Sequence, residues 1–436
     1  MSPLELSRNF HLTRTWELSR QRLPSLQRVM PALAEREIDL QSLRRLPIMD
    51  KEQYQILAQE WLQTNASLPH FMIRTGGTTG MPTLQWGYMP PYAPPAAPSP
   101  GEALRPLYLK AGDGRQGTVP HFPRDVGALI APLRDEDGYR IMIEILKTKY
   151  NFDGYEDQFS RISIPLPAAK KLVHYILVNS IELHGSGLKE VHTNSSFVTQ
   201  FWRNKIESIL NAKLIDHYGF TEIQNARAHE CPYCGYYHFP DTIYPEVVDA
   251  RDGLLTAPHA NGRLLVTRLL KEQDHAMPAL RFDSGDVVQI GAYCEMAGEC
   301  GFKPWGKVDH SIVIDGTGGG NLYPVRYGDI QEALDHHPSV GRINNTRHSL
   351  VTPTEGDAFP KWRLVSQGDC RARLEVEMLF DPRLFVEAWR AFEAQLRLAL
   401  ARSNREYQHA IDTAGFHLEI AGLPPGSLKD RDVMKS

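Results

Sequence analysis

No run of apolar residues in this sequence is long enough to span a bilayer. The N-terminus also lacks the apolar centre of a signal peptide, because Met1 to Arg20 mixes charges with isolated leucines. Neither sign of charge dominates: 48 basic residues face 52 acidic ones, a formal net charge of −4, which gives no reason to expect a nucleic-acid partner or a membrane-surface role. Cysteine is scarce, five in 436 residues. With no export signal, the chain is expected in the cytoplasm, where thiols stay reduced, so the cysteines call for metal binding or chemistry and not for disulfides. What remains is a chain of ordinary globular composition, long enough for two or three domains and a large buried core.

One stretch is unlike the rest. Arg74-Thr75-Gly76-Gly77-Thr78-Thr79-Gly80-Met81-Pro82-Thr83 holds three glycines and four threonines and has nothing to bury. It can form a tight loop whose amides and hydroxyls converge on one point, as a polyphosphate requires. It is not a Walker loop, since the lysine that such a loop needs is absent and Met81 follows the last glycine. A hydroxyl-rich surface turn is the bland alternative.

Before this loop, residues 1–65 read as helical, with Leu40, Leu43 and Leu46 on one side and Asp50 placed to cap the next helix after the break at Pro47. After it, the prolines between Met89 and Pro100 exclude regular helix or central strand, and the segment reads as an exposed loop. From Tyr108 to Lys213, short apolar runs alternate with amphipathic helices, as at Ile141–Leu146, Ala168–Ile181 and Phe197–Leu210, which predicts a layered α/β domain. Asp216-His217-Tyr218-Gly219-Phe220-Thr221-Glu222 follows the apolar pair Leu214-Ile215 and reads as a strand end entering a turn, the place where ligands gather in α/β sheets.

Four of the five cysteines fall in two close pairs, Cys231/Cys234 and Cys294/Cys300, the first a C-x-x-C knuckle. Two such pairs suit a closed structural Zn²⁺ site, and four buried thiols are the alternative. Cys370 is alone and expected to be buried. Further on, Gly262–Leu269 reads as a strand. Residues 310–436 form a second unit: a strand at Ile312–Ile314, a helix at Gly328–His336, strands around Val340–Ile343 and Trp362–Ser366, and an alternating strand through Leu374, Val376, Met378 and Phe380. Asp381-Pro382 then predicts a helix carrying Phe385, Trp389, Phe392 and Leu396 on one face, before a last strand at Phe416–Ile420.

The loop at residues 75–83 resembles the phosphate loop of the adenylate-forming, AMP-forming ligases, departing from it at Arg74 and Met81. Tyr218-Gly219-Phe220-Thr221-Glu222 is similar to a second signature of that superfamily. Pro278-Ala279-Leu280-Arg281-Phe282-Asp283-Ser284-Gly285-Asp286 resembles a third, and Gly306-Lys307-Val308-Asp309-His310 a fourth, with Lys307 where the family has arginine and His310 in place of a second aspartate. The phrase Asp39–Lys51 is similar to the phenylacetate–coenzyme A ligase branch. These phrases occur in family order across the chain.

The resemblance implies a large layered α/β adenylation domain at 1–308, containing a zinc knuckle at 231–300, and a small mobile α+β lid domain at 309–436 that swings about Asp309. It implies that Thr75, Gly76, Gly77, Thr78, Thr79 and Gly80 cradle phosphates. Tyr218 would stack on adenine beside Gly219, Thr221 would contact the α-phosphate, and Glu222 would hold Mg²⁺. Asp286 would accept from the ribose hydroxyls and Lys307 would contact the nucleotide as a point charge. Members of the branch carry zinc in this place, often with a histidine, so His238 competes for a ligand position with Cys234 or with one of the second pair. The family's late catalytic lysine follows a phrase like Pro425-Gly426-Ser427-Leu428; spacing favours Lys435 over Lys429.

The implied activity is ATP-dependent activation of a carboxylic acid, aryl or heteroaryl by branch, to an acyl-adenylate with release of pyrophosphate. Transfer to coenzyme A, a carrier-protein thiol or an amine would follow. Cofactors implied are ATP/AMP, Mg²⁺ and structural Zn²⁺. A homodimer is left open. Two alternatives stand beside this: adenylylation of a hydroxyl, phosphate or amine acceptor, and a zinc-stabilised scaffold without turnover.

Overall fold

The computed structural model describes residues 3–26, 38–64, 71–74, 84–87, 107–112, 128–132, 136–152, 155–183, 185–194, 196–220, 222–223, 226–249, 251–271, 277–316, 320–344, 358–368 and 370–429. Helices α1 (Pro3–Arg22), α2 (Leu40–Leu43) and α3 (Lys51–Thr64) come first, followed by strands β1 (Phe71–Arg74), β2 (Leu84–Gly87), β3 (Leu107–Gly112) and β4 (Ala128–Pro132). Then come α4 (Glu136–Lys147), a hairpin of β5 (Tyr150–Phe152) and β6 (Tyr155–Asp157), β7 (Phe159–Ser163), α5 (Leu166–Val178), β8 (Glu190–Thr193), α6 (Gln200–Leu210) and β9 (Lys213–Gly219). Meandering strands follow: β10 (Arg227–Glu230), β11 (Tyr237–His238), β12 (Ile243–Val248), β13 (Asn261–Arg268), β14 (Ala279–Cys294) and β15 (Glu299–Lys307).

Eleven of these strands form one sheet, in the order β12-β13-β14-β15-β11-β10-β9-β8-β7-β3-β4. From β4 to β9 the pairing is parallel, and from β9 to β12 it is antiparallel. The parallel half requires helical crossovers, and α4, α5 and α6 supply them, burying Met142, Leu172 and Ile206 against Ile162, Val191 and Leu214. Of the stretches read from the sequence, 141–146 lies within α4, 168–181 overruns the end of α5 at Val178, and 197–210 begins three residues before α6. A second core joins α1–α3 to the antiparallel half; Leu40, Leu43 and Leu46 are buried in it together. Asp50 caps α3 as expected, its carboxylate accepting from Gln53 N at 2.8 Å while Gln53 Oε1 accepts from Asp50 N.

Beyond a 3₁₀ turn at Val308–His310, the chain forms β16 (Ile312–Asp315), β17 (Asn321–Val325), α7 (Tyr327–Leu334), β18 (Arg342–Asn344), β19 (Ala358–Pro360), β20 (Trp362–Gly368), β21 (Arg371–Glu377), α8 (Val386–Ser403), α9 (Arg405–Ala414) and β22 (His417–Leu423). These elements share their own core, built from Ile312 to Ile420 around Trp362 and Leu374. Buried polar contacts tie it to the large sheet's side. Asp335 accepts from Thr199 Oγ1 at 2.8 Å and lies 3.5 Å from Lys170 Nζ, while Arg326 Nη1 donates to Asn261 Oδ1 at 2.7 Å.

Two local expectations are corrected and one helix is added. The helix after Asp381-Pro382 starts only at Val386, because the Asp381 carboxylate is taken by its own turn, accepting from Arg383 N at 2.9 Å; Phe385 is left exposed. Helix α9, capped by Asn404, has no counterpart in the sequence reading. Cys370 is half-buried, in a left-handed turn (φ 58°) between β20 and β21.

Candidate active site

Strand β9 ends where the sheet changes from parallel to antiparallel, and the site is built on that end. Its alternation puts Asp216 and Tyr218 on the face of the apolar cores and His217 on the other. Gly219 closes the strand, and a Cβ there would stand 2.7 Å from the carbonyl oxygen of Ala226, so the turn into Glu222 admits only glycine. The Tyr218 ring packs edge-on against Phe302 and Phe239, and its hydroxyl donates to Asp286 Oδ2 at 2.6 Å. Burial, and then the adjoining carboxylate, raise the Tyr218 phenol well above its ordinary value, so it is a hydrogen-bond donor at neutral pH.

Asp286 is presented by a bulge. Arg263 pairs with Val287 and Leu265 with Asp283, so Ser284, Gly285 and Asp286 oppose Leu264 alone. Gly285 takes φ 69°, and Asp283 Oδ1 accepts its N–H at 2.8 Å while Arg263 holds the other Asp283 oxygen at 2.6 Å. Across the β14–β15 ladder from Asp286 stands Lys307, whose Nζ lies 2.9 Å from Asp286 Oδ1 and donates to the Ser284 carbonyl at 3.0 Å. Burial opposes the Lys307 charge, but the Asp286 carboxylate outweighs it and raises the ammonium's pKa. Tyr218, Asp286 and Lys307, far apart in sequence, thus form one hydrogen-bonded unit. Glu222 is near enough to act electrostatically on both Tyr218 and Lys307, and its carboxylate pairs with Lys51 Nζ at 2.9 Å.

No protein-family profile matches the chain. A stretch of 214 residues is 26% identical to the phenylacetate-coenzyme A ligase of Aromatoleum evansii, covering 47% of this chain and 47% of that one. Another of 129 residues is 35% identical to the phenylacetate-coenzyme A ligase of Escherichia coli K12, over 29% and 28% of the two chains. The matches therefore span about half the length of the first relative and less of the second. Among solved structures, an open conformation of 2-hydroxyisobutyryl-CoA ligase in complex with 2-HIB-AMP and CoA superposes with a TM-score of 0.63 at 15% identity, over 99% of this chain and 91% of that one. The same ligase in its postadenylation state with 2-HIB-AMP gives 0.60. The chain shares the fold of this ligase.

Several residues singled out from sequence lie outside the described residues: Thr75, Gly76, Gly77, Thr78, Thr79, Gly80, Thr221 and Lys435. The proline-rich run at 89–100 does as well. Lys429 is described and exposed.

The cysteine pairs meet, with one change of membership. Cys231, Cys234, His238 and Cys294 hold their ligand atoms within 4.8 Å of one another. Cys231 Sγ and Cys294 Sγ are 4.0 Å apart, and Cys234 Sγ is 3.2 Å from His238 Nε2. Tetrahedral Zn²⁺ with bonds of about 2.3 Å places sulfurs about 3.8 Å apart, so the donor set fits that ion. Glu299 lies 3.9 Å from His238 Nδ1, where its carboxylate would orient the ring of a metal-bound histidine. Cys300 lies outside this group. It pairs with Tyr293 across the β14–β15 hairpin and shares that residue's solvent-facing side, whereas Cys294 pairs with Glu299 and points inward.

A row of imidazoles escaped the sequence reading. On the face of β8–β10 opposite Tyr218, Glu190 Oε2 lies 3.1 Å from His192 Nε2, His192 Nδ1 is 2.7 Å from His217 Nε2, and His217 Nδ1 is 2.7 Å from His229 Nδ1. Arg161 Nε pairs with Glu190 at 2.6 Å. With Glu190 ionised and the three rings neutral, one tautomer order satisfies every link: His192 donates to Glu190, His217 to His192, and His229 to His217. The order leaves Nε2 of His229 as the acceptor. Burial, then the neighbouring His229 and His192, push His217 down to about 3, so its ring is neutral. The only sequence signal was histidines at same-face positions, invisible until the register is known.

Proposed function

We propose that this chain is an AMP-forming acid ligase, activating a carboxylic acid with MgATP and passing the acyl group to a thiol, with coenzyme A the acceptor that its relatives' names suggest. The observation that carries this reading is the Tyr218–Asp286–Lys307 unit, set beside Glu222 at the parallel-to-antiparallel switch of a sheet whose structural relatives hold acyl-adenylates. Asp286 presents two carboxylate oxygens to the vicinal hydroxyls of a ribose, exchanging its present partners for them. Tyr218 offers an aromatic wall, and Lys307 holds positive charge against the nucleotide. Glu222 is the carboxylate for Mg²⁺, a hard cation bound by one or two carboxylates plus phosphate oxygens. When bound, Mg²⁺ supplies charge neutralisation at the phosphates; the chain's own contribution is alignment.

The loop at 75–80 and Thr221 are assigned to the phosphates, Lys435 to the late catalytic lysine, and Cys231, Cys234, His238 and Cys294 to structural Zn²⁺. Residues 309–436 are assigned to a lid that reorients between the two half-reactions. The acid is taken as aryl or heteroaryl, in keeping with the phenylacetate ligases among the relatives.

The test is acid-dependent ATP/pyrophosphate exchange over a panel of carboxylic acids, with Glu222→Gln beside the wild type. Exchange with at least one acid, reduced by orders of magnitude in Glu222→Gln at unchanged melting temperature, is expected. AMP transfer to a hydroxyl or phosphate acceptor without acid-dependent exchange would move the assignment to that chemistry. Absence of ATP binding would leave a scaffold.

A further inference from the structure

The charge around Glu222 raises a question that the Gly-rich loop leaves open. That loop carries Met81 where the family pattern has lysine, so the cation of that position is missing. Lys307, the cation nearest the ribose side, is engaged by Asp286 and the Ser284 carbonyl. On the Glu222 side a cation is supplied by Lys51, from a remote part of the chain.

Its placement is built. The segment before α3 is zipped onto β14: Met49 N donates to the Arg281 carbonyl at 3.0 Å, and Asp283 N donates to the Met49 carbonyl at 2.9 Å, so Met49 lies in a parallel bridge with Phe282. Arg281, in a left-handed backbone conformation and buried against Glu246, reaches the Leu46 carbonyl with Nη1. Tyr54 packs edge-on against Phe282, with ring centroids 5.0 Å apart. These contacts attach the first turn of α3 to the strand that bears Asp286.

Two features argue against a purely structural lysine. Lys51 is the first residue of α3, where the helix dipole disfavours a cation. Its side chain is 39% exposed against 16% for Glu222, and a pair that open to water adds little stability. Departures from local preference of this kind are expected at functional sites.

We propose that Lys51 is a nucleotide-binding and positioning residue. It holds the Glu222 carboxylate in the nucleotide-free protein and, when that carboxylate takes the metal, gives its ammonium charge to the phosphates. It thereby serves in place of the cation missing at Met81. This rests on the reading of the site as one for MgATP.

Calorimetric titration of wild type, Lys51→Met and Lys51→Arg with MgATP and with adenosine tests it. Charged contacts of this kind are worth about tenfold or more in affinity. Lys51→Met is expected to weaken MgATP by at least that factor and adenosine by less than about twofold, with the melting temperature of the free protein nearly unchanged. Lys51→Arg is expected to stay within about threefold of wild type. Wild-type MgATP affinity in Lys51→Met, or an equal loss for adenosine, overturns the role of Lys51 alone. A wild-type protein that binds neither ligand overturns the nucleotide site and Lys51 with it.

Discussion

Asp216 and His217, neighbours on β9 but on opposite faces, are set to titrate against each other. Burial raises the Asp216 carboxyl from 3.8 to about 7, although Tyr237 and Thr193 donate to it at 2.6 and 2.8 Å. Burial lowers the His217 imidazole from 6.5 to about 3. For Asp216 the folded chain binds the proton more tightly, so between pH 7 and 3.8 acidification stabilises the fold. For His217 the unfolded chain binds it more tightly, so between pH 6.5 and 3 acidification destabilises it. Linkage from pH 7 to pH 5 gives about 2 kcal/mol gained from Asp216 and about 2 kcal/mol lost from His217. The wild-type strand should therefore be nearly indifferent to pH in this range. Removing either group exposes the other: Asp216→Asn should lose about 2 kcal/mol between pH 7 and 5, and His217→Gln should gain about as much. Hydrogen–deuterium exchange of β9 peptides, corrected for the intrinsic pH dependence of exchange, reads this as opening constants about thirtyfold apart in opposite directions. Two variants that share the wild-type slope would refute the assignment of both shifts to burial.

Metal analysis of the purified chain should find about one zinc, retained in Cys300→Ser and lost in Cys294→Ser. Equal retention in both would remove the four-ligand cluster from the account. Lys435→Ala should cut acid-dependent exchange by orders of magnitude while Lys429→Ala leaves it near wild type; the reverse pattern would transfer the role to Lys429.

Features whose cause lies within a few consecutive residues were legible without coordinates. The Asp50 cap and the Leu40/Leu43/Leu46 stripe depend on local spacing and were found in place, and helices cover most of 141–146, 168–181 and 197–210, missing only 179–181 and 197–199. Asp286 was singled out by the resemblance of its phrase to a family signature, and the bulge that presents it, with side-chain turns at Asp283 and Ser284, came only with the structure. The start of α8 was not legible, because the Asp381 carboxylate had two backbone uses available and the tertiary arrangement took the nearer one.

Residue types and their order pointed, by themselves, to an α/β chain with a strand ending at Tyr218–Gly219 and a C-x-x-C knuckle. Only the tertiary structure decided which side chains meet. It chose His238 over Cys300, aligned His192, His217 and His229, and set Lys51 on Glu222. Strand register is the physical reason: a shift by one residue turns every side chain to the other face, and register is settled by pairing between segments remote in sequence.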